Sequence, residues 1–89
     1  MLFMVIEHFK DVATIGERFQ RQGRMLPEGV VFHASWVEPG GARCYQVMEA
    51  ASAEALEPWI DAWGDLADFE VIPVLSSADF WAARSQPRT

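Results

Sequence analysis

The chain has 89 residues, a hydrophobic fraction of 51%, and seven basic against thirteen acidic side chains, for a formal charge of −6. That size bounds it to one domain near the small end of what folds alone, and the apolar fraction excludes disorder. The acidic balance and the scattered arginines exclude a nucleic-acid surface, which needs a basic stripe.

Residues 2 to 8 alternate among β-favouring types and predict a first strand. The opening apolar run stops at Glu7, too short for a signal-peptide core or a bilayer span, so the chain is expected to be cytoplasmic and without a membrane partner. Cys44 is the single cysteine, which forbids an intrachain disulfide and fits a reducing compartment. Asp11 is a candidate N-cap, and Val12, Ile15, Phe19 and Leu26 then fall near helical spacing while Arg18, Gln20, Arg21 and Arg24 take the other side. This predicts a helix over 12 to 25, ended by Pro27 and Gly29.

Residues 30 to 37 and 42 to 49 read as two strands joined by Glu38-Pro39-Gly40-Gly41, a turn in which Pro fixes one φ and Gly permits a positive one. Pairing Val37 with Ala42 would put His33 and Ser35 on one face with Cys44, Gln46 and Met48. Phe32, Ala34, Trp36, Tyr45 and Val47 would share the other, the set expected beneath the helices. Ser52 is a candidate cap for a second helix, with Glu54 in its first turn and Leu56, Trp59, Ile60, Trp63 and Leu66 at three- and four-residue steps. Pro58 requires either an irregular first turn or a regular helix that begins only near Glu57. Residues 69 to 75 form the last strand, placed at an edge by Pro73. Ser76 or Ser77 can cap a short helix carrying Phe80 and Trp81, and the polar residues 85 to 89 are expected to be a mobile tail beyond a single domain over 1 to 84.

The order β-α-β-β-α-β is the ferredoxin-like α+β pattern: an antiparallel or mixed four-stranded sheet of order 4-1-3-2 plus a short C-terminal helix. Both long helices then lie on one side. The other face, assigned Phe3, Val5, Glu7, Val31, His33, Ser35, Cys44, Gln46, Met48, Glu70, Ile72 and Val74, is left bare. A bare apolar face exceeds what a soluble monomer normally presents, so a second copy of the chain is expected on it, making a homodimer through the open sheet face.

The segments Met1-Leu2-Phe3-Met4-Val5-Ile6-Glu7, Gly23-Arg24-Met25-Leu26-Pro27-Glu28-Gly29, Ser35-Trp36-Val37, Arg43-Cys44-Tyr45-Gln46-Val47-Met48-Glu49, and Trp59-Ile60 through Trp63-Gly64-Asp65-Leu66 to Phe69-Glu70 resemble the short bacterial proteins of the domain of unknown function 3303 family. The resemblance implies a dimeric α+β barrel, two ferredoxin-like sheets closed face to face, with no established reaction. Related folds in that wider superfamily include small monooxygenases, lactone isomerases, haem-degrading enzymes and stress proteins, an analogy that sets expectations of fold and not of chemistry.

Candidate pocket residues follow from the face assignment. Glu7 and Glu70, near neighbours if the first and last strands run antiparallel, would raise one carboxyl pKa if they shared a half-buried site. The alternative is that both lie in water or pair with arginines across the dimer. His33, Ser35 and Gln46, with Met48 among the apolar neighbours, form the polar island expected of a ligand pocket; the alternative for His33 is a cross-interface hydrogen bond. His8, His33 and Cys44 lack compact metal-ligand spacing, so no metal is expected. Cys44 reads as a small buried hydrophobe. Gly40-Gly41 opens no helix, which leaves nucleotide cofactors unsupported, and no cofactor is expected. These residues suit a dimer that binds a small apolar or aromatic molecule between sheet and partner. The other readings are a cofactor-independent monooxygenase or isomerase, and a non-catalytic interaction protein.

Overall fold

The computed structural model describes residues 1–84, and the expected tail over 85–89 lies outside the described residues. Strand β1 (Leu2–Phe9) buries Phe3, Val5 and Glu7 and leaves the alternate residues Leu2, Met4 and Ile6 partly open, the two-residue period of a strand between unlike surroundings. Helix α1 (Val12–Gln22) starts at Asp11, whose extended backbone and side chain cap the Thr14 N–H at 3.2 Å. The helix ends at Gly23 rather than at residue 25. Gly23 adopts φ +66°, ψ −156°, a backbone open essentially to glycine, and its N–H closes the last turn on Phe19 O at 2.8 Å. Arg24 is therefore off the helix, and its side chain is free of the helical surface to which the periodicity assigned it.

Strands β2 (Val31–Val37) and β3 (Arg43–Glu49) form the expected hairpin. Pro39 follows Glu38 in a turn closed by Gly41 N–H to Glu38 O at 2.8 Å, and the five-residue connection pairs Val37 with Cys44 instead of Ala42. A bulge at His33 breaks the register between Phe32 and Ala34. The extra residue turns Phe32 toward the helices, and His33 leaves that face.

A 3-10 turn (Ala53–Leu56) leads into α2 (Glu57–Trp63), so both consequences foreseen for Pro58 occur: an irregular turn first, and a regular helix from Glu57. Ser52 occupies the cap position in extended conformation but makes no capping hydrogen bond. Strand β4 (Ala67–Val74) follows, and α3 (Ser77–Arg84) is capped by Ser76, whose Oγ accepts from the Asp79 N–H at 3.0 Å. Every strand pair is antiparallel, which removes the mixed alternative, and the order β2-β3-β1-β4 is the expected 4-1-3-2 counted from the other edge. The fold is α+β, and its element order is that of a ferredoxin-like unit. Pro73 sits in an edge strand, as its missing donor requires.

The face assignment is reversed for β1, β3 and Ser35, while Val31, His33, Glu70, Ile72 and Val74 lie on the open side as expected. The helices cover Phe3, Val5, Glu7, Cys44, Gln46 and Met48, all buried, together with Phe69 and Val71 from β4. Directly opposed residues of an antiparallel pair share a face. Glu7 faces Phe69 and Ile6 faces Glu70, so Glu70 and Ile72 lie on the open side with Met4, Ile6, Tyr45, Val47 and Trp36. Hydrophobicity alone favoured the opposite choice because the covered face carries the polar residues; bulk decided it, since Phe3 and Met48 fill the space beneath Trp59 and Leu56.

Trp59, Phe3, Met48, Leu56 and Val5 are the largest fully buried side chains, and Trp59 meets Phe69 edge to face at 5.3 Å. Trp59→Ala is expected to cost about 3–5 kcal/mol, read as a lowered midpoint in urea unfolding, because it removes the anchor that ties α2 to the sheet. A loss below about 1 kcal/mol would contradict this core.

Candidate functional site

Helix α1 is strongly amphipathic, yet none of its residues is buried. Val12 remains 53% exposed and Phe19 44% exposed. The apolar stripe Val12, Ile15, Gly16, Phe19 faces the sheet across a cavity of about 300 Å³, with Glu7, Ser35, Cys44 and Gln46 on the strand side and Trp59 and Trp63 from α2 at its border.

Polar contacts tie α1 to the region around α2. Arg18 grips Asp65 with both guanidinium nitrogens, at 2.8 and 2.7 Å, and donates to Ala62 O at 3.0 Å while lying 5.5 Å from the centre of the Trp63 ring. Bidentate geometry gives this pair direction as well as attraction. Trp63 in turn donates its Nε1–H to Arg24 O at 3.0 Å, which fixes the segment that follows the helix. Gly16 lines the cavity at the middle of α1, and a Cβ built on it would meet nothing within 4 Å.

The strand side carries a buried carboxyl. Glu7 is 6% exposed, and its Oε1 accepts from Gln46 Nε2. Burial pushes the Glu7 pKa up from 4.5 to about 7, with the Arg24 charge pulling the other way. Arg24 lies face-on to Phe32 at 3.5 Å and 5.2 Å from the Phe19 ring centre, and donates weakly to Ser35 Oγ at 3.4 Å. Its Nε is buried with no acceptor among the described residues, and the same holds for Nε1 of Trp59. Burial, and then the Glu7 charge, push the Cys44 thiol up to about 11, so it stays protonated near neutral pH.

Of the six residues singled out from sequence, Glu7, Ser35 and Gln46 come together in this cavity. Met48 lies in the core and is not part of the cavity wall. His33 and Glu70 are on the open face, where His33 bonds Glu49 at 2.8 Å and Glu70 bonds His8 at 2.5 Å. The Glu7–Glu70 carboxylate pair does not form, because Glu70 opposes Ile6 and points to the other side of the sheet. The cavity also lies under the chain's own helix rather than under the bare face. Arg24 was missed altogether; the signal that could have found it is Gly23, which ends the helix one residue before it. Gly16, at a mid-helix position where glycine costs stability, is the sequence mark of the unfilled space.

Residues 1–87 match the family model described as a domain of unknown function, DUF3303. The chain belongs to that family. No curated protein and no solved structure matches it. Among the described residues no helix is long and apolar enough to cross a membrane, and no three of His, Cys, Asp and Glu gather where they could hold a metal ion.

The raised pKa of Glu7 has a signed effect on stability. Between pH 4.5 and about 7 the folded chain holds a proton that the unfolded chain has released, so stability falls across that window as pH rises and is flat above it. Urea unfolding at pH 5 and pH 8 is expected to differ by on the order of 3 kcal/mol from this group, and Glu7→Gln should remove most of the difference by gaining stability at pH 8. An unchanged slope in the Gln variant would mean that another group titrates.

Proposed function

We propose that the protein is a small homodimer that binds an apolar or aromatic small molecule in the cavity between α1 and the sheet of each subunit. The observation that carries the reading is the unburied apolar stripe of α1. An amphipathic helix gains its stability by covering that stripe, and here the stripe borders empty space lined by aromatic rings and one carboxyl. A cavity of about 300 Å³ suits a molecule of one or two fused rings. A bound ring would supply the burial that the helix lacks.

Binding is expected to show in two-dimensional NMR titration with 2-naphthol, as shifts at the Trp59 and Trp63 indole N–H groups and the Gly16 amide. Gly16→Phe, which fills the cavity and improves helix propensity, should abolish those shifts without unfolding the chain. Wild-type spectra indifferent to 2-naphthol at millimolar concentration would remove the reading.

The dimer reading rests on the open face. Leu2, Met4, Ile6, Tyr45, Val47, Ile72 and Trp36 form an apolar field, with Trp36 59% exposed, and its rim carries both signs of charge in His8, Arg43, Glu49 and Glu70. A two-fold axis packs such a face on its own copy, apolar centre on centre and rim charges on their opposites. Val47→Lys, at the middle of the field, should convert a dimer at micromolar concentration into a monomer in sedimentation equilibrium. A wild-type monomer at that concentration would contradict the assembly and leave the cavity reading untouched.

A further inference from the structure

We propose that the cavity is a proton-transfer site for a small ketone: the Glu7 carboxylate takes a proton from the carbon beside the carbonyl, and the Arg24 guanidinium holds the oxygen on which charge develops. The proposal rests on the reading of the cavity as a ligand site and adds the class of molecule and its reaction.

Among the described residues Glu7 is the only acidic side chain that lines the cavity, and of its two oxygens only Oε1 has a donor. Gln46 thus orients the carboxyl and leaves Oε2 for a ligand. Arg24 forms no ion pair with any described carboxylate; it is seated on the Phe32 ring and lines the cavity. A cation in apolar surroundings, without a carboxylate partner among the described residues, is matched by an acceptor that a ligand brings.

Charge selects among acceptors. With Glu7 ionised and Arg24 positive the site is neutral, and an anionic ligand would add a net charge to apolar surroundings beside a carboxylate. A neutral carbonyl adds none. When the C–H bond breaks, the proton goes to Glu7 Oε2, the C–H pair becomes the new C=C bond, and the carbonyl π pair moves to oxygen as an enolate facing Arg24. The negative charge passes from Glu7 to the ligand and the sum in the cavity does not change. Return of the proton to the same carbon gives exchange with solvent hydrogen. Return at the far end of an adjoining double bond gives a 1,3-shifted isomer. Neither outcome needs an oxidant or any other reactant. A carboxyl pKa of about 7 populates both the base and its conjugate acid near neutrality, the condition under which one group can take and return a proton.

The test uses the full chain and 2-tetralone in D₂O, with loss of the α-proton signal followed by ¹H NMR and binding followed independently by shifts of the Trp59 and Trp63 indole N–H groups in H₂O. Exchange is expected to run at least about 100-fold above buffer and to rise with pH to a plateau past about 7. Glu7→Gln should bind 2-tetralone and lose the enhancement, Glu7→Asp should retain a small part of it, and Arg24→Met should lose about 10- to 100-fold. Binding of 2-tetralone with exchange no faster than buffer overturns the proton-transfer proposal and keeps the ligand site. Enhancement that survives in Glu7→Gln overturns the role of Glu7. Failure of both 2-tetralone and 2-naphthol to bind overturns the ligand site itself.

Discussion

The bidentate grip of Arg18 on Asp65 is the contact on which the arrangement of this molecule turns. A helix as amphipathic as α1 would ordinarily settle onto the sheet and bury its stripe, and the gain in apolar burial would close the space beneath it. Here the helix is tied at Asp65 and Ala62, and through Trp63 at Arg24, to the end of α2. The ties are polar and directional, so they set a separation as well as an attachment. Collapse is opposed by the residues in between, since Glu7 and Gln46 form a polar pair that apolar side chains would have to desolvate further.

The cavity therefore reverses the usual relation between core and site. The fully buried centre, Phe3, Val5, Met48, Leu56 and Trp59, occupies the part of the helix-covered face furthest from the hairpin turn. The same face toward the turn carries Glu7, Gln46, Cys44 and Ser35, and there the packing opens. One continuous surface of β1 and β3 is core at one end and binding wall at the other. The residues that stabilise the first half stand one pleat from those that would contact a ligand in the second, so Trp59, at the boundary, is expected to report on both.

The two sides of the sheet divide the work. The covered side holds the buried carboxyl of Glu7 and the Arg24 guanidinium, while the open side holds the apolar field rimmed by His8–Glu70 and His33–Glu49. The bulge at His33 is the device that keeps these apart in β2. Without it the regular alternation would carry Phe32 onto the open side and His33 toward the helices, and Arg24 would lose the ring on which it rests.

Local chemistry made most of the fold legible. The Asp11 cap, the Pro39-Gly40-Gly41 turn and the edge position of Pro73 follow from side chains acting on their own stretch of backbone, and the order of the strands from the handedness of crossovers, so they can be read along the chain. Glu7, Ser35 and Gln46 were legible as a shared polar set because alternation fixes which residues of a strand point the same way. Which way that is depends on where distant side chains of sufficient bulk come to rest, and a two-residue period has no sign. Glu70 was misjudged by one step of register against Glu7, and Arg24 because the helix ends at Gln22, three residues short of the expected 25. The sequence by itself thus determined the elements, their order and the composition of each strand face. Only the tertiary structure decided which face lies under the helices, that Arg24 and Glu7 line one cavity, and that this space stays open, because each of these depends on contacts between segments far apart in the chain.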